Sequence, residues 1–184
     1  MKSCEVKIGG FGGQGVILMG IIIGKAAAIY DEGHATLTQA FGPEARGSAC
    51  SAQLLIDSQP ILYPYVSRPD IMVLMSQEAY AKFSPELGGK GVMIVEEELV
   101  KPEDVPPGIK VFSIPSTRIA EELGRKLIQN IVMVGFVTAV TGLVSEDAAR
   151  QAVKSAVPPG TEEINLKAFD AGLAHGRQQL QEAV

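Results

Sequence analysis

Glu5-Val6-Lys7-Ile8-Gly9-Gly10-Phe11-Gly12-Gly13-Gln14-Gly15-Val16, followed by an apolar run to Ala28, is the stretch on which the reading of this chain turns. Glu5 to Ile8 alternates polar and apolar as a strand does, and Val16 to Ala28 is long and apolar enough for a buried helix. Between them, five glycines make Gly9 to Gly15 read as a tight loop. Such a join aims free backbone N–H groups and the positive end of the helix dipole at the turn, so a phosphate or carboxylate is its natural guest. Glycine supplies the positive φ and the close approach that a guest requires. The plainer alternative is that these glycines only let the helix pack tightly on its sheet.

Outward from this loop, strands and helices alternate. His34 to Thr38 is a short strand, Gln39 to Ser48 a polar loop, and Ala49 to Ile56 the next strand, closed by a turn at Asp57-Ser58-Gln59-Pro60. Ile71 to Met75 is an unbroken apolar run typical of a strand covered on both faces, and Ser76 caps a helix from Gln77 to Phe83. Val92 to Val95 and Lys110 to Ile114 are further strands, with Pro115 and Ser116 opening a helix to Leu123. Asn130 to Leu143 is apolar nearly all round, as a central helix is, and Ser145 caps a helix ending near Val157. Pro158-Pro159-Gly160 breaks the chain before a last helix that starts after Thr161. The pattern predicts one α/β domain over residues 1–184, built on a mostly parallel open sheet with helices on both faces. Ligands of such sheets bind beyond the carboxyl ends of the strands. If these strands are parallel neighbours, the glycine loop, the 39–48 loop and the segment at Ser76 and Gln77 belong on one rim.

Composition narrows the function. With 184 residues, 46% of them apolar and 20% charged, the chain can bury a sizeable core. A net charge of −5 argues against sequence-independent binding to nucleic acid, which calls for a basic face. Cys4 and Cys50 are the only cysteines, in no C-x-x-C arrangement, and with the isolated His34 and His175 they offer neither a metal site nor a cluster ligand set. The apolar stretches Val16 to Ile23 and Ile131 to Val137 are short of the roughly 20 residues of a membrane span. A cytoplasmic protein is expected, with no membrane partner. No nucleophile stands beside a base, so no catalytic residue is assigned.

Gly10, Gly12 and Gly15 fit the spacing of a dinucleotide-binding loop. That reading calls for an acidic residue at the end of the second strand, to hold the ribose hydroxyls. Gln39 stands near that position, and Asp31 and Glu32 precede the strand as solvated turn residues. A phosphate-binding loop of the Gly-Lys-Ser type is absent. The second constellation is Thr38-Gln39-Ala40-Phe41-Gly42-Pro43-Glu44-Ala45-Arg46-Gly47-Ser48. Arg46 in it can fork onto a carboxylate or phosphate, or else pair with Glu44 inside the protein.

Taken together, Gly10, Gly12 to Val16 and the set Thr38, Gln39, Phe41, Gly42, Glu44, Arg46 and Gly47 resemble the gamma subunit of the 2-oxoacid:ferredoxin oxidoreductases. The resemblance covers nearly the whole chain, including Pro69-Asp70 and Asn130 with Gly135 and Thr141-Gly142-Leu143. Ala40 and Ser48 depart from the serine and glycine of many relatives. The resemblance implies one part of an enzyme that oxidatively decarboxylates a 2-oxoacid, forms an acyl-coenzyme A and reduces ferredoxin. Thiamine diphosphate is then expected on the alpha and beta partner subunits, the [4Fe-4S] clusters on the beta subunit or a ferredoxin-like delta subunit, and the isolated chain is expected to be inactive. Gly12, Gly13, Gln14, Gly15, Glu44, Arg46 and Gly47 are the residues expected to contact coenzyme A. The wording of the second motif leans toward 2-oxoglutarate over pyruvate as substrate. Two other readings stand beside this one: a free-standing nicotinamide- or flavin-binding protein, and a ligand-free scaffold or regulatory subunit.

Overall fold

The computed structural model describes residues 3–41 and 49–182. Six strands, β1 (Cys4–Phe11), β2 (His34–Ala40), β3 (Ala49–Asp57), β4 (Ile71–Leu74), β5 (Val92–Glu96) and β6 (Lys110–Ile114), form one sheet in the order β2-β3-β1-β4-β5-β6. The helices are α1 (Val16–Lys25), α2 (Gln77–Phe83), α3 (Ser116–Glu122), α4 (Gln129–Thr141), α5 (Glu146–Ala156) and α6 (Glu162–Glu182). Pairings β1 with β4, β4 with β5 and β5 with β6 are parallel. The expected α/β fold with a mostly parallel sheet is therefore present.

One strand breaks the pattern. β3 runs antiparallel to both β1 and β2 and lies between them. The second motif thus connects the strands of an antiparallel hairpin, as a short strand-to-strand connection without a helix allows. Periodicity in Ala49 to Ile56 identifies a strand but not its direction.

The two faces of the sheet are unequally covered. Alternate residues Val6, Ile8, Leu54, Ile56, Val73 and Ile94 point into the larger core, which includes the buried side chains of α1, α4, α5 and α6. Met72, Leu74, Met93 and Val95 point the other way, onto Ala79, Tyr80 and Phe83 of the short helix α2. Burial of each Leu-, Ile- or Phe-sized side chain is worth roughly 1.5–3 kcal/mol, so the larger face dominates stability. At its centre α4 is buried without interruption from Gln129 to Thr138, as an all-round apolar sequence requires.

α4 and α6 meet along a glycine seam. A methyl group on Gly135 would overlap the carbonyl of Phe169, and one on Gly172 would overlap the carbonyl of Val132. Here glycine is needed because backbone lies directly against backbone. The expected caps are also in place: Ala79 N–H donates to Ser76 Oγ, and Ala148 N–H to Ser145 Oγ, each at 3.2 Å. Three local readings are corrected. α1 gives way to a π-helical turn at Ala26–Tyr30. Gln39 and Ala40 belong to β2. Asp31 is not merely solvated: its carboxylate accepts from Ser145 N–H at 2.7 Å and Ser145 Oγ at 2.6 Å, tying the end of the first helical segment to the start of α5.

Candidate functional site

Register places the candidate segments at one end of the sheet. Phe11 pairs with Ala49, Ala40 with Ser51 and Gly9 with Leu74. The end of β1, the two ends of the β2–β3 connection and the end of β4 therefore share a rim. Glu44, Arg46 and Gly47 lie outside the described residues; their flanks, Phe41 and Ala49, sit on this rim. Ala49 N–H donates to Glu78 Oε1 at 3.3 Å, which fastens the start of β3 to the first turn of α2.

The glycine segment is shorter as a loop than its sequence suggests. Gly9 and Gly10 are paired within β1, which runs to Phe11, and only Gly12 to Gly15 turn away. The reason is local packing: a Cβ on Gly9 would lie 2.7 Å from Phe83, and one on Gly10 would lie 2.7 Å from Gln14 Oε1. Half of the motif thus serves close packing. The rest forms the turn, with Gly13 at φ 96° and Gly15 at φ 75° in the left-handed region. Among the described residues, a Cβ on Gly13 would meet nothing within 4 Å.

Gly15 is the N-cap of α1, and among the described residues no side chain caps the first-turn N–H groups. The helix dipole adds positive character there, and α1 is long enough to express it. Gly12 and Gly13 are exposed, while Gln14 and Gly15 are half-buried. Asn130, in the first turn of α4 and 3% exposed, walls the turn from behind: a Cβ on Gly15 would lie 2.5 Å from its Nδ2. The motif spacing gives no hint of this contact between residues 115 positions apart.

Between β1 and β4 the connections leave on opposite faces, α1 into the larger core and α2 onto the smaller one. That is the crevice in which open α/β sheets bind ligands. Gln14 lies across it. Phe11 N–H donates to Gln14 Oε1 at 2.6 Å, and Gln14 Nε2 donates to Met75 O at 2.8 Å. A dinucleotide-binding fold would also set a parallel second strand directly beside the first, and antiparallel β3 takes that place.

Farther along the rim, Glu96 is fully buried and organises the ends of β5 and β6. It accepts from Glu98 N–H, Leu99 N–H and Thr117 N–H at 2.9, 2.8 and 3.0 Å, and Thr117 Oγ1 donates to Gln129 Oε1 at 2.7 Å. Those bonds meet the hydrogen-bonding needs of a buried carboxylate and brace α3 against α4. The opposite end of the sheet holds Cys4, whose thiol is pushed up to about 12 by burial and then by Asp70 and Glu5. It is neutral at ordinary pH and a poor nucleophile. Among the described residues, no three His, Cys, Asp or Glu side chains form a group able to hold a metal ion. No helix there is long and apolar enough to cross a membrane.

Comparison with known proteins agrees with this architecture. Residues 5–175 match the family described as pyruvate ferredoxin/flavodoxin oxidoreductase. The chain is 48% identical over 174 residues to the 2-oxoglutarate synthase subunit KorC of Methanothermobacter thermautotrophicus, covering 91% of this chain and 92% of that one. Among solved structures it superposes on a keto/oxoacid ferredoxin oxidoreductase gamma subunit from Geobacter sulfurreducens, with TM-score 0.82, 36% identity and coverage of 94% and 98%. Its fold also matches part of the 2-oxoglutarate:ferredoxin oxidoreductase of Magnetococcus marinus, solved with 2-oxoglutarate, coenzyme A and succinyl-CoA bound. That match has TM-score 0.87 and 21% identity, over 97% of this chain and 32% of the other.

Proposed function

The chain belongs to the pyruvate ferredoxin/flavodoxin oxidoreductase family and is a gamma-type subunit of a 2-oxoacid:ferredoxin oxidoreductase, and from this premise we propose that its Gly12–Gly15 turn supplies part of the coenzyme A side of that enzyme's site. One observation carries the reading. Among the described residues nothing lies within 4 Å of a Cβ on Gly13, and no side chain caps the start of α1, on the rim where both ends of the second motif also arrive. Backbone N–H groups and the helix dipole then attract a phosphate of coenzyme A without a cationic side chain from the turn itself. Arg46 adds a bidentate partner for the same anion.

Coenzyme A, when bound, supplies the thiol that receives the acyl group. This chain orients its phosphates, while the alpha and beta partner subunits hold thiamine diphosphate, and the beta subunit or a ferredoxin-like delta subunit holds the [4Fe-4S] clusters. The substrate is 2-oxoglutarate: the 48% identity to a 2-oxoglutarate synthase subunit supports it, as does the wording Phe41-Gly42-Pro43-Glu44-Ala45-Arg46-Gly47.

Arg46→Ala in the enzyme reconstituted with its partner subunits tests the reading. Loss of one charge-assisted pair is expected to raise the KM for coenzyme A about tenfold, with the KM for 2-oxoglutarate unchanged. Unaltered coenzyme A kinetics in an intact assembly would overturn it. Weakened assembly with normal kinetics would instead make the two motifs an interface between subunits.

A further inference from the structure

The Gln14 side chain has both ends of its amide bonded to backbone, and the two bonds reach different strands. Its oxygen accepts from Phe11 N–H at 2.6 Å at the end of β1. Its nitrogen donates to Met75 O at 2.8 Å, one residue past the end of β4. Met75 N–H in turn donates to Gly9 O at 2.9 Å, so parallel pairing runs right up to the gap that Gln14 closes. Gly10 is part of the same device: a Cβ there would lie 2.7 Å from Gln14 Oε1 and 2.8 Å from Val16 Cγ2. The spacing of Gly10 and Gln14 is thereby explained as a side chain folded back over the residue that makes room for it.

We infer that Gln14 is a positioning residue, a strut that closes the crevice between β1 and β4 and fixes the Gly12–Gly15 turn outward to meet an anionic ligand. The role differs from a direct contact with ligand. The strut lies across the crevice between β1 and β4, and Gly12 and Gly13 are exposed on the turn beside it, where an anion would be met. Asn130 holds the other side of the turn at Gly15, so the loop is braced from β4 and from α4. Preorganisation of this kind lowers the ordering cost of binding and is felt in affinity. For coenzyme A as the ligand, the inference rests on the reading given under Proposed function.

Gln14→Met tests it in the reconstituted enzyme, since methionine keeps the volume and removes both hydrogen bonds. Without coenzyme A, hydrogen exchange in the Gly10–Val16 segment is expected to quicken about tenfold as the Phe11 amide loses its acceptor. The KM for coenzyme A is expected to rise about fivefold with kcat within a factor of about two, a split that general loss of folded enzyme does not produce. Gln14→Asn, one methylene too short to span the gap, should behave in the same way and serves if the methionine variant does not fold. Unchanged exchange in the segment would overturn the strut. Faster exchange with an unchanged KM would overturn the positioning role if Arg46→Ala still raises the KM. Should neither variant alter the KM, the coenzyme A reading itself fails, and with it the role assigned here.

Discussion

A methyl group placed on Gly135 or Gly172 would overlap a carbonyl of the facing helix, whereas one placed on Gly13 would meet nothing within 4 Å among the described residues. The seam between α4 and α6 uses glycine for what it lacks, a side chain, so that two helices pack backbone to backbone. The turn at the end of β1 uses glycine for a conformation, φ 96° at Gly13 and 75° at Gly15, in the left-handed region. One chain thus contains a glycine-dependent core and a glycine-dependent surface. Helix α4 belongs to both, with Asn130 against Gly15 at its first turn and Gly135 in the seam.

The largest effect should come from the seam. Gly172→Ala forces two backbones apart in a close-packed interior and is expected to cost about 3 kcal/mol or more, lowering Tm by roughly 6–12 °C. Calorimetry of the purified chain checks this; a loss below about 1 kcal/mol would mean that the seam accommodates a side chain and the contrast is false. Well below its Tm, the same variant in the assembled enzyme should keep the wild-type KM for coenzyme A.

Gly13→Ala should show the opposite signature. With free space around it, alanine there meets only the cost of a left-handed backbone, about 1 kcal/mol, and Tm should fall by only a few degrees. The KM for coenzyme A should rise, because relief of that strain turns the N–H groups away. A large loss of stability with normal kinetics would place Gly13 with the seam instead.

Much of this was readable from residue order. The strand and helix sequence and the caps at Ser76 and Ser145 follow from local pattern, because each is decided within a few residues. Direction was not: β3 is antiparallel for reasons that lie in its pairing with β1, and no periodicity carries that. The seam was also hidden. Gly135 marks an apolar helix in sequence, but its partner carbonyl, at Phe169, is in another helix. For the site, the glycine turn between a strand and a helix was legible, yet the packing roles within it were not. Gly9 and Gly10 look like loop and are strand, because Phe83 and Gln14 occupy the space that side chains would need. Gln14 reads as a ligand contact until Met75, 61 residues away, is seen at the other end of its amide.

Hydrogen exchange of the assembled enzyme, with and without coenzyme A, separates the two glycine regions most directly. The turn and the first turn of α1, residues 12–18, are predicted to gain about tenfold protection when coenzyme A is added, while the seam at residues 129–141 stays unchanged. Equal rates in the 12–18 segment with and without coenzyme A, in an enzyme turning over normally, would contradict the assignment of this turn to the coenzyme A side of the site.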